Sequence, residues 1–333
     1  MRLPLDTTRS VSLGEALGGV HPKHERLAAG VAAARALSQR LELAHVKSFG
    51  FELPLDSTAP VDFGLCIGPT VEARRGLVAC AGNFCHDSVV PELARRLADE
   101  NDRLAGRIAE IFFEFDRDAN GAFTARPSLF ARLRVPATHA EDVPRLREAL
   151  AALGAHADAE PLLDDVGSML GAGGHAAVTD VGVMSGRASR SSRVSIELFS
   201  DPRRLVAASR RSESAVALVA ACRALAAGQP NLRLHLDATS PVIGVEQSFG
   251  VGSGARALWR AWLDRLAGSG LMRPEELPPL LEWWGPTRVA RGERWPFVLR
   301  RELGHVKLVF VGDRFTRAKA YLVASPTFSL FLL

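Results

Sequence analysis

One tyrosine, four cysteines and four lysines are all that a chain of 333 residues with 41 basic side chains contains of these types. No apolar run reaches the ~18–20 residues of a membrane-spanning helix, so no membrane partner is expected. The opening "MRLPLDTTRSVSLGEALGGV" holds no long apolar core of a secretory signal, and with free thiols the expected location is cytoplasmic. Cys66, Cys80, Cys85 and Cys222 have no zinc spacing. "NFCHD" sets Cys85, His86 and Asp87 side by side, but chain neighbours rarely converge on one ion, so a loop and no metal site is the reading. There is no Walker A sequence, no G-x-S-x-G and no H-E-x-x-H. Asp164 and Asp165 lack the third aspartate of a DDxxD magnesium motif, and the pair reads as a helix start.

The shortage of lysine is informative. Arginine is the default cation here, yet Lys307 and Lys319 fall in the last two strand-like segments, and the single tyrosine, Tyr321, follows Lys319 by two residues. A compact ammonium at such points reads as a specific choice. The net charge of +4 does not point to nucleic acid. The arginines are spread along helices and interleaved with acids, as in "PELARRLADENDRLAGRIAE", with no basic block.

What is present is a globular composition, 47% apolar and 23% charged, read as a single domain over residues 1–333. Amphipathic helical stretches alternate with pairs of short strand-like runs in five units, roughly 22–68, 89–135, 141–200, 202–249 and 254–325. Strand pairs this close suit antiparallel hairpins, since a parallel pair needs a crossover. The strands alternate. In "RVSIELF" Val194, Ile196 and Leu198 oppose Arg193, Ser195 and Glu197; in "LRLHLDA" the leucines oppose Arg233, His235 and Asp237. "HVKLVF" sets His305 and Lys307 against Val306, Leu308 and Phe310, and "AKAYLV" sets Lys319 and Tyr321 against Ala318, Ala320 and Leu322. "EIFFEFD" carries Glu110, Phe112, Glu114 and Asp116 on one face, and "SLFARLR" carries Ser128, Phe130, Arg132 and Arg134. The apolar strand faces supply the surface that the helices must cover, and closing the sheet removes both edges. The fold class expected is therefore α+β: a ten-stranded antiparallel β-barrel with a polar lumen, ringed by helices in five ααββ repeats.

Several local patterns read as structure. "EFDRDANG" begins like a calcium loop, but the position that needs glutamate is Pro127, so the stretch is read as a hairpin turn with Asn120-Gly121 at positive φ. "FGVGSGAR" and "GAGGH" are read as plain loops, and Trp283 and Trp284 of "LEWWG" as packing residues.

This architecture, with Lys319 followed two residues later by Tyr321, resembles the prenyltransferase barrel, the ABBA fold of soluble aromatic prenyltransferases, over about residues 22–325. The resemblance implies a natural-product tailoring enzyme that binds an allylic diphosphate on lumen cations without a DDxxD metal motif. Magnesium can accompany the diphosphate but is not required, and no other cofactor is implied. Carried over by position, Arg132, Arg193, Arg233, His305, Lys307, Lys319 and Tyr321 would bind diphosphate or substrate. Glu114 would be the acceptor carboxylate, and His235 would join it in catalysis. The family's tyrosine shield has one tyrosine here, with Phe112, Phe130 and Phe199 as partial substitutes, and Glu197, Asp237 and Glu246 add negative charge among the cations. That leaves two alternatives open: a barrel enzyme that uses no prenyl diphosphate and performs acid–base cyclisation or modification of a zwitterionic or peptide-like substrate, or a non-catalytic small-molecule binder. Arg233 with Asp237, or Lys307 with Glu197, would serve equally as structural ion pairs.

Overall fold

In the computed structural model the described residues are 11–84, 89–117, 120–124, 126–155, 157–171, 176–185, 190–198, 215–225, 231–250, 253–284, 288–291 and 296–327. Among the described residues eleven strands form one antiparallel sheet: β1 Ser48–Pro54, β2 Asp62–Ile67, β3 Ile108–Phe115, β4 Ser128–Ala137, β5 Ala176–Val183, β6 Ser192–Leu198, β7 Asn231–Asp237, β8 Ile243–Ser248, β9 Arg288–Arg291, β10 Pro296–Val311 and β11 Arg314–Thr327. Strands β1 to β8 follow chain order, β10 pairs β8, and β11 pairs both β10 and β1, which closes a ring of ten. The short β9 is an addition to the expected ten; it pairs the first residues of β10, Pro296–Leu299. The last hairpin is accordingly longer than expected, because β10 begins nine residues before His305.

The strand faces divide as the alternation requires. Val194, Ile196, Leu234, Leu236, Val306, Leu308, Ala318, Ala320 and Leu322 are all buried on the outer side of the barrel wall, against the helices. The helix Glu25–Leu41 turns Leu27, Val31, Ala34, Leu37 and Leu41 inward at helical spacing and ends where Glu42 adopts a left-handed φ of 50°. Its Gly30 allows the close approach to β1: an added Cβ would lie 3.4 Å from Val61 and 3.5 Å from Phe51.

The helix Val71–Cys80 was not expected. Thr70 caps it by accepting from the Ala73 N–H at 3.2 Å, and buried Arg74 ties it down by donating to the carbonyls of Leu97, Ala105 and Ile108 at 2.8–3.1 Å. Asp164 and Asp165 lie inside the helix Ala159–Gly171 rather than at its start. After β3, Gly121 has the positive φ expected of it, 79°, and an isolated bridge joins Arg117 to Phe123, while Asp118 and Ala119 lie outside the described residues.

Among the described residues most phenylalanines are in this outer layer, not the lumen. Phe51, Phe63, Phe113 and Phe115 form a chain of ring contacts with Phe84, Phe123 and Trp283, at centroid separations of 5.1–6.5 Å. Trp283 is thus a packing residue, as read from the sequence; it also donates to the Val323 carbonyl at 3.3 Å. Cys66, Cys80 and Cys222 are buried free thiols. The "NFCHD" triplet, "GAGGH" after Gly171, Gly252 and Phe199 lie outside the described residues. Among the described residues no helix is long and apolar enough to cross a membrane, and no cluster of His, Cys, Asp and Glu could hold a metal ion.

Candidate functional site

Alternation fills the lumen, and the register decides which side chains meet there. One row runs Cys66–Phe112–Phe130–Gly182–Arg193–Asp237 across β2 to β7. Another runs Glu110–Arg132–Asp180–Ser195–His235–Gly244 across β3 to β8. A third sets His305 opposite Tyr321, Tyr321 opposite Glu52, and Glu52 opposite Asp62. Between these walls lies a cavity of about 190 Å³.

Nine residues expected at the site line this cavity: Glu114, Arg132, Arg193, Arg233, His235, Glu246, His305, Lys307 and Tyr321. Lys319 and Asp237 do not line it but pair with residues that shape it. Lys319 and the Tyr321 hydroxyl both donate to the Glu52 carboxylate. Arg193 grips Asp237 with a two-pronged ion pair, Nε–Oδ1 2.5 Å and Nη2–Oδ2 3.0 Å. Glu197 shares the inward face of β6 but does not line the cavity.

The ion pairs differ from those the sequence suggested. Asp237 belongs to Arg193, and Arg233 instead approaches Asp180 at 3.5 Å and Glu246 at 3.4 Å. Arg132 bridges Asp180 at 3.0 Å and Glu110 at 3.3 Å, and Lys47 reaches Glu110 from outside the strand set. Lys307 does not pair with Glu197. Among the described residues it is the cavity-lining cation with no carboxylate oxygen within ion-pair distance, although it is only 8% exposed. Two aromatic faces stand nearby: Arg132 lies 5.1 Å over the Phe112 ring and Arg193 lies 5.8 Å over Phe130. His305 stacks on Tyr321 with centroids 4.0 Å apart.

Burial in this charged space shifts the proton equilibria. Burial first, then Arg193, pushes Lys307 down to about 7, against the opposing pull of Glu114, Asp237 and Glu52. Burial, reinforced by Glu52, raises Asp62 to about 7. Burial and Lys307 take His235 down to about 3. Burial tends to raise Glu246, but His305, His235 and Arg233 outweigh it and hold the carboxylate well below its usual range. Burial and Glu52 raise the Tyr321 phenol, so it stays a donor. At neutral pH the lumen therefore holds a neutral His235, an ionised Glu246, and two groups, Lys307 and Asp62, that gain or lose a proton easily.

Glu52, Asp62, Asp180 and Cys66 line the cavity without having been singled out, and Ser195 lines it where the alternation placed it. The signal was there for the first two. In "SFGFELP" Glu52 alternates with Phe51 and Leu53, and in "DFGLCI" Asp62 alternates with Phe63. Glycines at Gly50 and Gly64, cross-strand neighbours on the same inward face, blur that pattern.

No family model matches this chain, and no curated protein matches it in sequence. Solved structures do match. One is a 6-dimethylallyl tryptophan synthase, 13% identical, with a TM-score of 0.52 over 96% of this chain and 100% of that one. At that identity the likeness is one of fold: a closed ten-stranded antiparallel barrel ringed by helices, the prenyltransferase barrel.

Proposed function

We propose that this chain is a prenyltransferase-barrel enzyme that transfers an allylic group from a prenyl diphosphate to an aromatic acceptor bound in the lumen, as a tailoring step on a small molecule. Lys307 carries the reading. A nearly buried ammonium without an ion-pair partner is costly unless a ligand supplies the counter-charge. A diphosphate does so, and as the allylic C–O bond breaks, a fixed cation stabilises the leaving charge without reorganising. Arg193 and Arg233 line the same cavity. The Phe112 and Phe130 faces suit an allylic cation, and Glu114, on the opposite wall beside Gly64, suits the acceptor's N–H or its departing ring proton. The chemistry needs no protein-held metal; magnesium would arrive, if at all, with the diphosphate.

A second reading is favoured by one observation. Glu52, Asp62, Glu114, Asp116, Asp180 and Glu246 all line the cavity, and apart from Lys307 its lysine and arginine cations already have carboxylate partners. That balance suits a zwitterionic or peptide-like substrate handled by acid–base chemistry, with Lys307 and Asp62 as the groups near neutrality. Thermal melts separate the two. Dimethylallyl or geranyl diphosphate at ~100 times its Kd adds ~2.7 kcal/mol of stability on the first reading. No shift in the wild type, with activity retained in Lys319→Ala and Arg233→Ala, selects the second.

A further inference from the structure

Ser195, His235 and Glu246 stand on three consecutive strands, and each points inward. Ser195 faces His235 directly across β6 and β7. The Ser195 hydroxyl lies 3.0 Å from His235 Nδ1, and His235 Nε2 lies 2.9 Å from a Glu246 carboxylate oxygen. The order fixes the tautomer. An ionised carboxylate only accepts, so the ring proton is on Nε2, and Nδ1 presents its lone pair to the serine O–H. Burial and the Lys307 charge keep the resting imidazole neutral at physiological pH, and the Glu246 carboxylate acts against both when the ring takes up a proton. The serine is 4% exposed, and the surface it has is cavity surface. Nucleophile, base and orienting carboxylate are thus in hydrogen-bond contact inside a substrate-sized chamber. Nothing in prenyl transfer requires the serine.

We propose that Ser195 is an acyl-accepting nucleophile, activated by His235 and oriented through Glu246, and that the lumen hydrolyses small oxoesters or thioesters. Ser195 Oγ bonds to the carbonyl carbon while its proton passes to His235 Nδ1. The bond from that carbon to the leaving oxygen or sulfur breaks, its electron pair stays with the leaving atom, and that atom takes the proton from Nδ1. Water repeats the sequence on the acyl-serine, releasing a carboxylic acid and restoring the hydroxyl. Ester and water become acid and alcohol or thiol, with no oxidant, reductant or metal. Lys307 serves the oxyanion: its Cε and the His235 ring meet over the bare backbone of Gly244, 2.7 Å and 3.5 Å from where a β-carbon would stand. Glu246 is a positioning residue, since it acts through the ring.

The test is active-site labelling of the full chain with a fluorophosphonate, followed by peptide mapping, alongside p-nitrophenyl acetate hydrolysis. The expected result is one phosphonyl group on Ser195, none on that peptide in Ser195→Ala, and labelling slowed on the order of 10²-fold in His235→Gln. Glu246→Gln should slow labelling less, with ester KM little changed and kcat reduced. Absence of label on Ser195 in the wild type overturns the proposal, and so does labelling of Ser195 at an unchanged rate in a folded His235→Gln. The readout involves no diphosphate, so a failure here leaves the prenyl-transfer reading untouched, and a failure of that reading leaves this one standing.

Discussion

Lys307 lies across Gly244. A β-carbon at position 244 would come within 2.7 Å of Lys307 Cε and 3.0 Å of His235 Cβ. The glycine is what lets the lysine stem cross the wall of β8 and hold its ammonium in the chamber. Gly244→Ala should therefore displace the ammonium while leaving the sheet intact. Diphosphate-dependent turnover is expected to drop by about 10²-fold for a misplacement near 1 Å, with the melting temperature changed by only a few degrees. Steady-state rates paired with a thermal melt check both halves.

The second prediction concerns pH. In the unfolded chain Lys307 titrates near ~10.4, and in the barrel burial takes it down to about 7. Below pH 7 both states hold the proton, and the folded state bears the full cost of a buried cation. Between 7 and ~10.4 the unfolded chain binds more protons, so the folded state gains stability as pH rises, at up to ~1.4 kcal/mol per pH unit. Lys307→Met should be more stable than the wild type at pH 6, and the difference should shrink toward pH 10. Urea unfolding of both proteins across that range measures it.

Asp62 has the opposite sign. Burial and Glu52 raise it to about 7 in the folded barrel, against ~3.9 unfolded. From pH ~4 to 7 the folded state holds the proton that the unfolded chain has released, so this residue costs stability as pH rises through that window. Asp62→Asn removes the dependence. Its stability relative to wild type should be greater at pH 8 than at pH 4, by on the order of a few kcal/mol.

On the proposed prenyl transfer, Gly64 sets the room for the acceptor. It sits beside Glu114 in register, and an added β-carbon would meet nothing closer than the Phe113 carbonyl at 4.0 Å. A larger side chain therefore fits the wall and takes space from the lumen. Gly64→Leu should fold at least as stably as the wild type, since glycine is unfavourable within a strand by ~0.5–1 kcal/mol. It should reduce kcat/KM for a bulky acceptor by more than for a small one. A ladder of acceptors of increasing size, assayed against both proteins, reads this directly.

Much of this site was legible in the sequence because strand period is local. The inward set of Arg193, Ser195, Arg233, His235, His305, Lys307 and Tyr321 follows from alternation alone, and the outer apolar set confirms it. What alternation does not carry is the register between strands. Arg233 meeting Asp180 and Glu246 rather than Asp237 is decided by how β5 to β8 are staggered around the barrel, which no one strand encodes. Asp180 was hidden differently, in a strand buried on both faces, where Arg132, Arg233 and Thr179 partner the acid. Glu52 and Asp62 were masked by the inward glycines beside them. The helix Val71–Cys80 escaped because Gly76 interrupts its pattern, and its anchor, Arg74, satisfies carbonyls from distant segments.

On the proposed function, the lumen, centred on Lys307, takes the diphosphate of an allylic donor. The most direct measurement is release of inorganic diphosphate from dimethylallyl diphosphate in the presence of a panel of aromatic acceptors, with prenylated product quantified by mass spectrometry in the same reaction. Diphosphate and product are expected in equal amounts, with both reduced by about 10²-fold or more in Lys307→Met. Tight binding or turnover that is unchanged in Lys307→Met, or a wild-type protein that neither binds nor consumes any allylic diphosphate, would contradict it.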